Sequence, residues 1–324
     1  MAETIIAIIH LKSFGFLHPG RERFKRVTKE AWLLIPGSTL YGAAAAALVR
    51  LDCRRGEANL NNCTECQKNP RNDCGYLALL REVKGGRLRF SPLVVTSSKG
   101  NQTFYTAEDY SRDAALVLTR LGICPRAPLG RQTASIFKEK LHGLVAHQPF
   151  QEYRGFVRTN PEFLNKHLKR ALRALPFFPF GGGRGKFTQI EAKVLQEYEN
   201  KADFCPPRPV TCLGLLTPAI LPSTPPRLGT IAGTKNYDLE NFRLRRYTFW
   251  RTGLYWDGEP HDFKKYGGAA VQDHLTQARL GLTEDAVFHL QYPKPEDIQT
   301  LFLNGLGAPE FTYLGWGQVY FKEF

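Results

Sequence analysis

Ile35-Pro36-Gly37-Ser38-Thr39-Leu40-Tyr41-Gly42, running on through Ala43–Ala47 to Leu51, is the stretch on which the fold turns. Pro36-Gly37-Ser38 reads as a turn, and Ser38 or Thr39 is placed to cap the helix that begins there. The alanine run gives that helix a smooth flank that packs closely against a sheet. Ahead of it, Thr4–His10 is β-branched and apolar, the pattern of a central strand. Behind it, Gly75–Val83 reads as a short helix, and Arg87–Val95 alternates basic and apolar residues as a half-buried strand does. Residues 97–160 read as irregular. Pro161–Leu175 is an amphipathic helix: Phe163, Leu164, Leu168, Leu172 and Leu175 form one stripe, and Lys166, Lys169, Arg170 and Arg173 the other. Phe187–Leu195 reads as the next strand.

A proline-rich stretch at Pro206, Pro207 and Pro209 opens a second half with strands at Val210–Leu216 and Val287–Tyr292. A helix at Pro295–Leu303, closed by Asn304-Gly305, and a strand at Gln318–Phe321 complete it. Each half runs strand, helix, strands, helix, glycine turn, strand. The expected fold class is therefore α+β: two ferredoxin-like (RRM-like) βαββαβ domains, at 1–205 and 206–324, with glycine-rich loops. The length of 324 residues suits two domains, and a 43% hydrophobic content excludes a mainly disordered chain. No apolar run approaches the roughly 20 residues of a membrane helix. No secretion signal is read at the N-terminus, which makes a prokaryotic cytoplasm the expected setting.

Charge is uneven along the chain. The formal net charge is +14, and residues 120–186 hold 13 basic and 3 acidic residues. Residues 187–324 hold 14 basic and 16 acidic. A segregated positive field points to a polyanion partner, the alternative being a basic surface kept for solubility. The candidate nucleic-acid contacts are Arg21, Arg23, Lys25 and Arg26 in a first basic loop, Ser38 and Thr39 at the helix start, and Arg131, Arg154, Arg158 and Lys169 in the basic segment. Gly181, Gly182, Gly183, Arg184 and Lys186 join them. Their glycines let backbone N–H groups approach a phosphate, and Arg184 can grip one bidentately. The P-loop spacing is missing, and a tight helix-to-strand turn is the alternative reading. Phe14, Phe16 and Phe24, with Tyr247, Phe249, Trp250 and Trp256, stand among basic residues as base-stacking rings or as core.

Cys53, Cys63, Cys66 and Cys74 follow the spacing C-x9-C-x2-C-x7-C in polar loop material. Such a loop has little to bury, so a structural Cys₄ zinc site at 53–74 is the expected clip. Two disulfides or free thiols are the alternatives. Cys124, Cys205 and Cys212 read as ordinary buried or loop cysteines. Catalysis has one weak candidate set, His142 and His147 with Lys138 and Tyr153, fit for a metal-independent ribonuclease. Asp109 and Asp113 lie near a helix start, where capping suits them.

Ile35–Ala43 resembles the "IPGSSLRGAL" signature of the RAMP superfamily of CRISPR-associated proteins, with Tyr41 where the signature has arginine. A four-cysteine zinc element after that helix, and a strand like Leu88-Arg89-Phe90-Ser91, are also features of that superfamily. Gly181–Gly185, Gly305-Leu306-Gly307 and Gly315-Trp316-Gly317 resemble its glycine-rich loops. Two halves with a loop each look like the Cas-five or Csx-ten type. The resemblance implies a non-catalytic subunit that holds the 5′ repeat-derived handle of a CRISPR RNA and caps a filament of backbone subunits. The other roles in the superfamily are a backbone (Cas-seven-like) subunit on CRISPR RNA spacer and target RNA, with Asp109 or Asp113 at the target strand, and a processing endoribonuclease.

Overall fold

A computed structural model describes residues 4–15, 17, 20–25, 28–31, 34–53, 66, 74–96, 104–123, 129–137, 140–147, 150–177, 180, 190–205, 210, 212–220, 239–240, 281–282, 287–290, 295–307 and 312–322. In chain order the first half comprises β1 (Ile5–Ser13), β2 (Gly20–Lys25), β3 (Thr28–Ala31), α1 (Gly37–Asp52), α2 (Gly75–Lys84), β4 (Arg89–Phe90) and β5 (Val94–Val95). It continues with α3 (Ala107–Ile123), β6 (Leu129–Phe137), β7 (Lys140–His147), β8 (Glu152–Thr159), α4 (Pro161–Phe163), α5 (Lys169–Ala174), β9 (Ile190–Tyr198) and α6 (Lys201–Phe204). The second half has β10 (Cys212–Leu215), β11 (Ala219–Ile220), β12 (Leu239–Glu240), β13 (Gly281–Leu282), β14 (Val287–Leu290), α7 (Pro295–Asn304) and β15 (Val319–Phe321). Helices and antiparallel sheets make this an α+β fold.

The first sheet has the order β4-β8-β1-β9, with β5 also paired to β8, and every pairing is antiparallel. The second has the order β12-β14-β10-β15, again antiparallel. β1 is apolar over Ile5–Ile9 and at Leu11 because both of its faces are covered there. Ile5, Ala7, Ile9 and Leu11 pack with Leu40, Ala44, Ala47 and Leu48 of α1 and Leu168 and Leu172 of the following helix. Ile6 and Ile8 enter a different cluster with Phe156, Phe204, Leu213, Leu215, Phe302 and Phe321. That second cluster unites the two halves: Phe302 stacks on Phe156 (centroids 5.4 Å apart) and on Phe321 (4.7 Å). The boundary at 205/206 falls between α6 and β10, where Phe204 and Cys205 belong to the shared cluster.

Local chemistry accounts for most boundaries. Asn160 caps α4 by accepting from the Glu162 N–H at 2.8 Å, with Pro161 at the first helical position. The amphipathic stretch is not one uniform helix: Leu164–Leu168 forms a π-helical turn between α4 and α5, and the expected stripe is buried, joined by His167 and Ala171. Three expectations are corrected. Residues 97–160 are regular over α3, β6, β7 and β8. The basic loop at 21–29 includes strands β2 and β3. Neither Ser38 nor Thr39 caps α1, whose N-cap is Pro36 with no side-chain bond. Among the described residues no helix is long and apolar enough to cross a membrane.

Candidate nucleic-acid interface

The two basic stretches meet through the backbone. β3 pairs with β7 in parallel, with Thr28 opposite Gly143 and Lys29 opposite Leu144. A four-stranded sheet of order β2-β3-β7-β6 results. It carries Arg21, Arg23 and Lys25 on β2 and Arg131 on β6, more than a hundred residues later in the chain. Arg26, Gly181, Gly182, Gly183, Arg184 and Lys186 lie outside the described residues, as do Phe16, Tyr247, Phe249, Trp250 and Trp256. Phe24 is on β2, opposite Lys29 of β3.

The helix-opening motif serves packing. Ile35 and Leu93 exchange both backbone hydrogen bonds, at 2.9 and 2.8 Å, which ties the motif to the first sheet. A Cβ on Gly37 would stand 2.5 Å from both the Leu314 and the Phe90 carbonyl oxygens, so only glycine fits there. Tyr41 packs edge-on against Phe90 (6.1 Å) and Tyr313 (5.5 Å), and burial raises its hydroxyl pKa far above the ordinary range. The ring at 41 thus joins the halves. The glycine pair Gly305-Leu306-Gly307 and Gly315-Trp316-Gly317 sits in the same seam. Leu306 N–H donates to the Gly317 carbonyl at 2.7 Å, and Leu306 and Trp316 are buried. Ser38 and Thr39 are half-buried in the first turn of α1.

The arginines of the first sheet are less exposed than basic residues usually are. Arg158 donates through Nη1 to Asn304 Oδ1 and through Nη2 to the Gly86 carbonyl at 2.7 Å. Arg154 is 5% exposed and lies under the Tyr105 ring, 5.2 Å from its centroid. The structure therefore places Arg154 in the interior and not on an open basic surface. Lys169 is paired with Glu197 at 2.5 Å and bonded to Asn165 Oδ1 at 2.6 Å. Arg89, read from sequence as one basic residue of an alternating strand, is 1% exposed. Its guanidinium reaches the Thr312 carbonyl (2.9 Å), the Phe302 carbonyl (3.1 Å) and Gln318 Oε1 (2.8 Å). Burial first, then the charge of Arg158, pulls its pKa down to about 9, so it stays charged at neutral pH.

Three of the four clustered cysteines converge. Cys53 follows α1, and Cys74 caps α2. Asp52 fastens these ends together: its Oδ2 accepts from the Gly75 N–H at 3.1 Å and its Oδ1 from Arg170 at 2.9 Å, with His167 Nδ1 3.8 Å away. Cys66 packs on the Cys74–Leu77 pair beside Tyr76 and Leu80. Burial pushes the Cys74 thiol pKa up, and the charges of Cys53 and Asp52 add to the rise. Cys63 lies outside the described residues. None of the three described cysteines is in a disulfide, and among the described residues no group of three or more His, Cys, Asp or Glu is arranged to hold a metal ion. A thiolate-rich donor set suits zinc, which would clip the end of α1 to the start of α2. Cys205 and Cys212 are buried and free, and burial pushes Cys205 up to about 12.

Among the catalytic candidates, Tyr153 is buried, with its hydroxyl on Gln151 Oε1 at 2.9 Å. His142 and His147 are register partners of Ala134 and Leu129 on β7, and Lys138 lies outside the described residues. Asp109 caps α3 reciprocally with Thr106: the Thr106 N–H donates to Asp109 Oδ2 (2.9 Å) and the Asp109 N–H to Thr106 Oγ1 (3.2 Å). Asp113 accepts from the Tyr105 hydroxyl at 3.1 Å.

No protein-family model matches the chain, and no curated protein does. Solved structures do. One is a chain of the type III-B Cmr-beta complex bound to cognate target RNA and AMPPnP (TM-score 0.40, 11% identity, 87% of this chain and 86% of that one). Another is a Cas6 product complex (TM-score 0.36, 11% identity, 98% and 99%). A third is a chain of a type IV-B CRISPR complex (TM-score 0.35, 11% identity, 63% and 95%).

Sequence reasoning missed the seam. Its one signal was Arg89 set between Leu88 and Phe90. It also missed His10, whose strand reads as core but whose ring meets Glu152 at 3.2 Å.

Proposed function

We propose that this chain is a non-catalytic RNA-binding subunit of a CRISPR ribonucleoprotein effector. It holds the 5′ repeat-derived handle of the CRISPR RNA and caps a filament of backbone subunits. The observation that carries the reading is the joining of two basic stretches, Arg21–Lys25 and the start of the 120–186 segment, in one sheet. A sheet with Arg21, Arg23 and Lys25 on β2 and single basic residues, Lys29, Lys140 and Arg131, on β3, β7 and β6 suits a phosphate backbone. The motif at Ile35–Ala43 adds the family likeness. Each half is a ferredoxin-like unit in this reading, which the sheet orders β4-β8-β1-β9 and β12-β14-β10-β15 support: taken in chain order, the strands hold the same relative places in both. A structural zinc on Cys53, Cys63, Cys66 and Cys74 is part of the proposal. The partners are CRISPR RNA and a backbone subunit, with target RNA as a further contact.

Fluorescence anisotropy with repeat-tagged RNA tests this. Binding is expected to weaken steeply with salt, and equal affinity for RNA lacking the handle would remove the handle assignment. Elemental analysis tests the metal: about one zinc per chain is expected, and under half an equivalent overturns it. Incubation with precursor CRISPR RNA in EDTA is expected to give no cleavage. Cleavage lost in a His142→Ala/His147→Ala variant would replace the non-catalytic reading.

A further inference from the structure

The face of the first sheet that carries Arg89 and Arg158 at one end carries a second polar group at the other. His10 of β1 stands opposite Arg154 of β8 and opposite Lys193 of β9, one row across three strands. The neighbouring row is Glu152, Lys12 and Glu191 by the same registers. Glu152 is committed, with Oε2 3.2 Å from His10 Nε2 and Oε1 3.8 Å from Lys12 Nζ. Lys193 and Glu191 are exposed. Arg154 Nε and Nη1 are buried and have no hydrogen-bond partner among the described residues. A guanidinium that has lost water without gaining an acceptor is an incomplete arrangement, and an anion completes it.

We propose that the row Arg154–His10–Lys193 is a phosphate-binding site. That the phosphate belongs to RNA rests on the function proposed above; a free phosphate or nucleotide shares the chemistry. Arg154 supplies a planar fork matched to phosphate oxygens, and Lys193 supplies a mobile charge at the rim. The charges of both cations reach the half-buried His10 ring and oppose its protonation, which places them around one spot. Tyr105 forms the wall. Its hydroxyl is held by Asp113, its N–H by Gln196 Oε1 (3.2 Å), and its carbonyl by the Tyr198 hydroxyl (3.0 Å). Beside the row, Phe150 is 71% exposed, has φ +60° and meets Phe14 edge-on at 6.5 Å. A ring held outward on unfavourable backbone, with Lys12 5.5 Å from the Phe14 centroid, is suited to stack a base next to the bound phosphate.

The test compares the full chain with Lys193→Glu, which is exposed and safe for folding, and Arg154→Met, whose fold is checked by circular dichroism. With labelled repeat-tagged RNA, each variant is expected to bind about tenfold more weakly. The slope of log affinity against log salt should fall by about 0.7 per lost contact. Wild-type affinity and slope in both variants, with wild-type RNA binding intact, overturns the site and leaves the RNA reading standing. Absence of RNA binding by the wild type overturns the RNA reading. His10 ring resonances titrated with inorganic phosphate then decide the site: a shift abolished in Lys193→Glu assigns it to a small phosphate ligand, and no shift overturns it.

Discussion

Arg89 and Arg154 sit on the same face of the same sheet, both almost fully buried, and their surroundings are opposite. Arg89 finds two backbone carbonyls and a glutamine oxygen from the second half. Arg154 finds the face of Tyr105 and leaves two nitrogens without acceptors. Burial alone therefore does not define what an arginine does. With acceptors supplied it is a structural tie whose loss exposes the partners it satisfied. Without them it is a site that spends stability for a ligand.

Arg89→Met should have the largest effect. It strands the Phe302 and Thr312 carbonyls and Gln318 Oε1, and about 3–5 kcal/mol of stability is expected to go, read as a lower urea midpoint. Arg154→Met is the matched control: with no hydrogen bond of Nε or Nη1 to lose, free-protein stability should stay level or rise. An equal loss in the two variants would erase the contrast. Gly37→Ala comes next. Its methyl group would press on the Leu314 and Phe90 carbonyls at 2.5 Å, and about 1–3 kcal/mol should be lost as the seam opens.

The Arg154 end of the face should respond to acid. Burial lowers the His10 pKa below 6.5, against the opposing pull of Glu152, with Arg154 and Lys193 adding to the drop. Below pH 6.5 the unfolded chain therefore binds the proton first. Stability falls with pH until the folded ring itself protonates. Nuclear magnetic resonance titration of His10 should give a midpoint under 6.5, and His10→Gln should flatten the decline. The smallest effect belongs to Arg87→Ala. That removes a bidentate partner (3.0 and 2.8 Å) from the buried Glu82 carboxylate, and a loss of about 1 kcal/mol in thermal unfolding is expected.

The sequence by itself determined the elements whose signal is local. A doubly apolar β1, the Asn160-Pro161 cap, the stripe of Phe163 to Leu175 and the helix end at Asn304-Gly305 were legible because propensity and periodicity act over a few residues. Only the tertiary structure decided what the polar residues do. Whether Arg89 faces carbonyls or Arg154 faces a ring depends on groups from distant parts of the chain: Phe302, Thr312 and Gln318 for one, Tyr105 for the other. The pairing of β3 with β7 and the use of Tyr41 as an inter-half contact are of the same kind. A charge is the same letter in the sequence wherever it lands, and its energy is set by the dielectric and the acceptors that folding brings to it.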